Sequence, residues 1–346
     1  MKQLFLVAIF LFGVLSCGDS SKITVVNKGF YYWKNNSNSL ESNEKKLIDS
    51  LSINRLYVKL FEVNYDSEAG IMPYAKSSLS FYFLDSSIQL IPCIYIRNNV
   101  FLSASNSELD ELVSNILHLI NRRTKNSYYS ENGIPLKEIQ FDCDWTETSK
   151  DKYFYFLRKF KKQWKKTLSC TLRLYPYKFE EKLGVPPCDK VTLMCYNLLN
   201  PVNSKDANSI LEISELEKYI LPEKEYPIPV DIALPLYLWN LCYDNDRFKG
   251  KIYGLIDGVE NFTTKISPLW SRVERDTVIE DVYLRKGDRL KIESVSQESL
   301  VTAAKILLQN VKLQEEMCVM FFQLDEKLIK ENSYEKINSV FSTFSN

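Results

Sequence analysis

The stretch Ile139-Gln140-Phe141-Asp142-Cys143-Asp144-Trp145-Thr146-Glu147 sets three acids close together in an otherwise apolar run. It reads as a short β-strand spanning Glu138 to Trp145. Strand side chains alternate between faces. Ile139, Phe141, Cys143 and Trp145 therefore share one face, and Gln140, Asp142 and Asp144 share the other. Burying an amide and two carboxylates without partners is expensive. Two readings follow: an acid-bearing site, or an edge strand with a solvated face. Neighbouring carboxylates with separated pKa values can divide proton donation from cation stabilisation.

Other residue types narrow the chemistry. The chain of 346 residues holds one histidine, His118, beside the apolar stripe of a helix read over Ser107 to Arg123. That argues against Ser-His-Asp, Cys-His and His-rich metal sites. No metal and no cofactor is expected, and any catalysis falls to carboxylates and tyrosines. Lys+Arg and Asp+Glu both total 44, so no basic excess points to nucleic acid. The 21 Tyr, 19 Phe and 5 Trp suit a large core and stacking on sugar rings.

The N-terminus reads as a processing signal. Lys2 precedes an apolar run, Leu4 to Leu15, that is too short to span a bilayer. Val14-Leu15-Ser16-Cys17 resembles a bacterial lipobox. The expectation is a signal peptide over 1–16, lipidation of Cys17 with palmitate among its acyl chains, and a tether over 17–27. The mature chain would then lie outside the cytoplasm in the bacterial cell envelope. It would meet the membrane only through its lipid anchor. The cysteines after Cys17 match no zinc spacing.

About eight strands alternate with helices along the rest of the chain. They are read over Lys28–Lys34, Arg55–Val63, Ile88–Ile96, Glu138–Trp145, Leu168–Tyr175, Lys190–Asn197, Val230–Trp239 and Met317–Leu324. Helices include Lys150 to Lys166, Gln297 to Val311 and a closing one from Asp325 to Phe341. Such alternation argues for a parallel sheet with right-handed crossovers. Eight units fit an α/β fold, a closed (β/α)8 TIM barrel. No glycine-rich phosphate loop follows any strand. Between strand seven and the Gln297 helix, the pattern turns to short strands with a turn at Lys286-Gly287-Asp288. The expectation is a barrel over 28–243 and 297–346 with a small β-rich insertion over 244–296.

Sites of such barrels collect at the C-terminal ends of the strands. Strand one offers Tyr32 and Trp33 there, strand two Glu62, and strand three Tyr95. Strand four offers Asp142, Asp144 and Glu147, and strand five Arg173 and Tyr175. Tyr196 and Asn197 follow on strand six, Tyr237 and Trp239 on strand seven, and Gln323 on strand eight. Acids, amides and aromatics around one rim suit carbohydrate chemistry.

Asp142-Cys143-Asp144-Trp145 resembles the strand-four signature of chitinase-type glycoside hydrolases of family 18. Met194-Cys195-Tyr196-Asn197 is similar to the strand-six motif of that superfamily, and Ala233-Leu234-Pro235-Leu236-Tyr237 to its strand-seven segment. The chain also resembles a family of bacterial lipoproteins with glycosidase-like barrels. The resemblance implies a polysaccharide or glycoconjugate as partner. It implies that Asp142 tunes Asp144, and that Asp144 stabilises positive charge at the reacting centre. It also implies that Tyr196 orients the substrate.

One departure stands out. The pattern has a catalytic Glu directly after Asp-x-Asp-Trp, where this chain has Thr146, with Glu147 one residue later. On a regular strand a one-residue shift turns a side chain to the other face. The expectation is a glycoside hydrolase using the strand-four carboxylates, with Glu147 as acid after a local rearrangement or with Asp144 or Glu62 in that role; the alternative is a barrel that binds glycans without cleaving them. A scaffold role in envelope assembly predicts rim aromatics covered by the insertion.

Overall fold

The computed structural model describes residues 23–34, 40–74, 77, 87–125, 135–222, 224–329 and 333–345. The signal segment and Cys17 lie outside these. Eight parallel strands form the barrel: β1 (Val25–Tyr32), β2 (Arg55–Asp66), β3 (Gln89–Ile96), β4 (Glu138–Asp142), β5 (Thr167–Arg173), β6 (Lys190–Met194), β7 (Val230–Pro235) and β8 (Glu316–Phe322). Each strand pairs with the next, and β1 pairs with both β8 and β2, which closes the sheet. β1 begins inside the span read as a tether.

Helices cover the outside of the barrel. Lys150–Gln163 buries Tyr153, Phe154, Phe156, Leu157 and Phe160. Phe141 of β4 meets Phe156 and Phe160 edge-on at 5.0 and 4.7 Å between ring centroids. This contact fixes the facing of β4: Phe141 points to the helix layer, so Gln140 and Asp142 point to the barrel axis. His118 is exposed on the helix Asn106–Lys125. The closing segment expected as one helix is described as two, Glu326–Ile329 and Tyr334–Ser345. No described helix is long and apolar enough to cross a membrane.

The insertion follows β7. Strands Trp239–Asp244, Arg247–Tyr253, Thr263–Lys265, Trp270–Val273 and Arg289–Glu293 form one antiparallel sheet, and Thr277–Ile279 pairs with Val282–Leu284 as a hairpin. A small core of its own, including Ile252, Phe262, Val273 and Leu290, holds this sheet together. Trp239, expected at the end of strand seven, opens the insertion sheet instead. β7 ends at Pro235, which has no N–H to continue a ladder, and Leu236 donates its N–H to the Phe322 carbonyl as the chain turns away.

Lys291 and Glu293 lock the insertion to the barrel. Both are fully buried and form an ion pair of 2.5 Å. Lys291 also donates to the carbonyls of Ser204 and Ala207, in the loop after β6. Glu293 accepts from the Ser209 N–H and hydroxyl and from the Trp239 indole. A buried pair persists only where its remaining hydrogen-bonding capacity is met, and here the loop after β6 and Trp239 meet it.

Candidate glycan site at the barrel mouth

The floor of the mouth is a hydrogen-bonded layer inside the barrel. The Tyr31 hydroxyl donates to Gln140 Oε1 at 2.7 Å, and Gln140 Nε2 donates to Thr192 Oγ1 at 3.0 Å. Cys93 Sγ lies 3.5 Å from the same Oε1. Gln140 is thus a brace across strands β1, β3, β4 and β6, with its buried polar atoms paired.

The two aspartates stand above this layer, each held by β5. Thr171 donates its hydroxyl to Asp142 Oδ1 at 2.6 Å. Arg173, two residues on and on the same face, grips Asp144 through Nε at 2.7 Å and Nη2 at 3.2 Å. Burial pushes the Asp142 carboxyl up from 3.8 to about 6, and the Asp144 charge adds to this; Thr171 and Arg173 oppose it. Tyr95, paired in register with Asp142, is pushed up to about 12 by burial and then by the Asp142 and Asp144 charges. Tyr196 is also raised, by burial first and by Asp142 next.

An aromatic cluster surrounds the acids. The Tyr196 ring stacks on Phe322 at 5.4 Å and meets Tyr237 edge-on at 6.1 Å. The Tyr237 hydroxyl donates to Asn197 Oδ1. Asn197 has a φ of 55°, the left-handed region that asparagine tolerates better than most residues. Trp33 is half-buried against Tyr31 and Phe322. Lys59 sits 5.7 Å from the Trp33 ring centroid and pairs with Glu62 at 2.7 Å. Gln323 Oε1 is buried and accepts no hydrogen bond among the described residues.

Several candidates occupy other positions than expected. Tyr32 lies on the opposite face of β1 from Tyr31; it is buried, with Lys34 over its ring, and cannot stack on a ligand in the mouth. Trp239 is also buried, with its indole N–H committed to Glu293. Glu147 is exposed and pairs with Lys182 at 3.1 Å, beyond β5. β4 does end at Asp142, so the chain past it is free of strand alternation. Trp145 nevertheless turns outward, is buried, and donates to the Leu183 carbonyl at 3.1 Å, and Glu147 joins Lys182 in that same segment. Thr146 instead enters the turn that starts the Lys150–Gln163 helix: its N–H donates to Ser149 Oγ at 2.9 Å.

The exposed aromatics lie elsewhere. Tyr175 and Phe179 follow β5 directly, with rings 4.7 Å apart, and both are exposed. Tyr253 is 60% exposed on the insertion strand paired to Trp239. Burial raises the Tyr237 hydroxyl, with Arg173 opposing. Tyr237 packs on Trp239 at 5.4 Å, and Tyr253 meets the same Trp239 edge-on at 6.2 Å, which places Tyr253 beside the mouth. Thr171, the partner of Asp142, escapes a reading of the sequence, although its two-residue spacing from Arg173 is visible there. No group of three His, Cys, Asp or Glu among the described residues could hold a metal ion.

Comparison with solved structures gives the class of fold. The spore cortex-lytic enzyme SleL of Bacillus megaterium QM B1551 superposes with a TM-score of 0.53 at 14% identity, over 92% of this chain and 74% of that one. A chitinase-like agglutinin from Robinia pseudoacacia gives 0.49 at 11%, over 92% and 99%. The chitinase ICChI from Ipomoea carnea gives 0.46 at 10%, over 91% and 99%. The chain therefore has a TIM-barrel fold, which it shares with SleL at low sequence identity. No family model and no curated protein matches it.

Proposed function

We propose that this protein is a lipid-anchored, extracytoplasmic glycan-binding barrel that holds a polysaccharide or glycoconjugate at its mouth without hydrolysing it. The observation that carries this reading is the fate of the acid. Thr146, at the position where the resemblance calls for a catalytic Glu, is neutral and engaged in a helix-starting turn, while Glu147 is paired outward with Lys182. The acids that remain are held by fixed partners, Asp144 by Arg173 and Glu62 by Lys59. Such a set of oriented acceptors and donors suits sugar hydroxyls. The unpartnered Gln323 Oε1 and the exposed Tyr175 and Tyr253 support the same reading.

A second reading rests on Asp142. A carboxyl raised to about 6 beside the Asp144 carboxylate is the pattern of a general acid paired with a charge stabiliser. One experiment separates the two. The mature chain and its Asp142→Asn and Asp144→Asn variants are applied to a glycan panel, with retention and released products both read. Retention without product is expected. Product formation that either variant abolishes would overturn the binding-only reading and establish the hydrolase. Lipid anchoring is tested by radiolabelled palmitate incorporation into the full chain and its loss in Cys17→Ser.

A further inference from the structure

We infer that the insertion builds an acidic-sugar subsite at the edge of the mouth, with Tyr253 as the stacking face and Lys251 as the cation that selects a carboxylate-bearing pyranose. The inference rests on the glycan-binding reading and specifies its ligand class. Lys251 Nζ lies 4.3 Å from the Trp239 ring centroid and 4.5 Å from that of Tyr253. Ring faces attract a cation but do not neutralise it. Among the described residues no carboxylate pairs with this ammonium, whereas the other cations of the mouth are committed: Arg173 to Asp144 and Lys59 to Glu62. Lys251 is half-buried, so its charge acts with less solvent screening than a fully exposed lysine.

The surroundings fit a ligand more than a packing contact. Tyr253 is an exposed aromatic on a strand whose partner, Trp239, is fixed by the buried Glu293. The platform is therefore rigid beneath and open above, which suits stacking of a flat pyranose face. Lys327, in the short helix Glu326–Ile329 after β8, brings its stem to 4.0 Å from where a Cβ on Gly254 would lie. Tyr253 and Tyr237 both pack on Trp239, at 6.2 and 5.4 Å between ring centroids, and Tyr237 is bonded to Asn197, so the subsite is continuous with the mouth. A pyranose stacked on Tyr253 would present an attached carboxylate to Lys251 through a charge-assisted contact.

The test is an array of matched oligosaccharides in hexuronate, carboxyalkyl-ether and neutral forms, probed with the native chain, Lys251→Gln, Lys251→Arg and Tyr253→Ala. The native chain is expected to prefer one acidic form over its neutral match by about tenfold, a preference that weakens with salt. Lys251→Gln should remove the preference, Lys251→Arg should restore it, and Tyr253→Ala should weaken both forms by about tenfold. Which acidic form is retained distinguishes a ring carboxylate from one on an ether arm. Both positions are at least partly exposed, so the variants should unfold at the native temperature, checked by circular dichroism. Retention of neutral glycans alone, or an acidic preference that survives Lys251→Gln, overturns the subsite and leaves the glycan-binding reading standing. Retention of no member overturns that reading and the subsite together.

Discussion

Replacing Asp142 by asparagine should make the protein more stable near neutral pH and leave it little changed in acid. The substitution keeps the shape and an oxygen for the Thr171 hydroxyl, which now lies 2.6 Å from Oδ1, but removes a titration. In the folded chain the Asp142 carboxyl is raised from 3.8 to about 6, chiefly by burial. Between those values the folded state keeps a proton that the unfolded chain has released. Stability then falls as pH rises through that window and levels off above it. A shift of about two units at 1.36 kcal/mol each gives about 3 kcal/mol as the upper figure, reduced by the solvent that a half-buried group still meets. Urea unfolding from pH 4 to 8 reads this directly. The advantage of the variant over the native chain should grow by about 1–3 kcal/mol between pH 4 and 7. Asp144→Asn should shrink that gain by removing a like charge, and Arg173→Gln should enlarge it. Parallel stability curves for native and Asp142→Asn chains would refute the burial argument.

Other consequences are equally open to measurement. Glu293→Gln leaves Lys291 buried without its counter-charge; a loss of about 3–5 kcal/mol in urea unfolding is expected, with new proteolytic cleavage around residues 200–209. Gly184 has a φ of +73°, and an added Cβ would sit 2.7 Å from Phe154; Gly184→Ala should therefore lose about 1–3 kcal/mol of unfolding free energy. The cysteines at 93, 143, 170, 188, 195, 242 and 318 are free and buried, and burial pushes the Cys93, Cys143 and Cys195 thiols up. A thiol reagent should label them only after denaturation, and rapid labelling of the native chain would contradict their placement.

The barrel is legible in the sequence because its signal is repeated: alternating strands with apolar faces, each followed by a turn and a helical stripe. The inward pair Gln140 and Asp142 is equally readable, since alternation and the outward Phe141 leave one solution; Asp144, past the end of β4, is held beside them by Arg173. What fails is whatever depends on where a strand stops. Trp239 looks like a rim platform because the apolar run continues past Pro235, yet that run changes sheets there. Tyr32 and Trp33 are adjacent, so strand alternation could not have put both on one face. Glu147 cannot be placed from spacing, because its direction is set by Trp145 docking on Leu183, a contact between segments 38 residues apart. Tyr253 carries no local signal at all. Its position depends on antiparallel pairing with Trp239.

The pair formed by Lys291 and Glu293 bears on how the mouth can discriminate. Swinging the insertion outward would strip Lys291 and Glu293, which share one insertion strand, of the Ser204, Ala207 and Ser209 groups that complete their burial. That movement is closed to a ligand of ordinary affinity. The aperture is therefore set when the chain folds, and the loss of freedom that a mobile flap would suffer on each encounter has already occurred. Such a mouth works as a gauge: a ligand passes by its own shape and charge, and the protein does not adjust to admit a misfit.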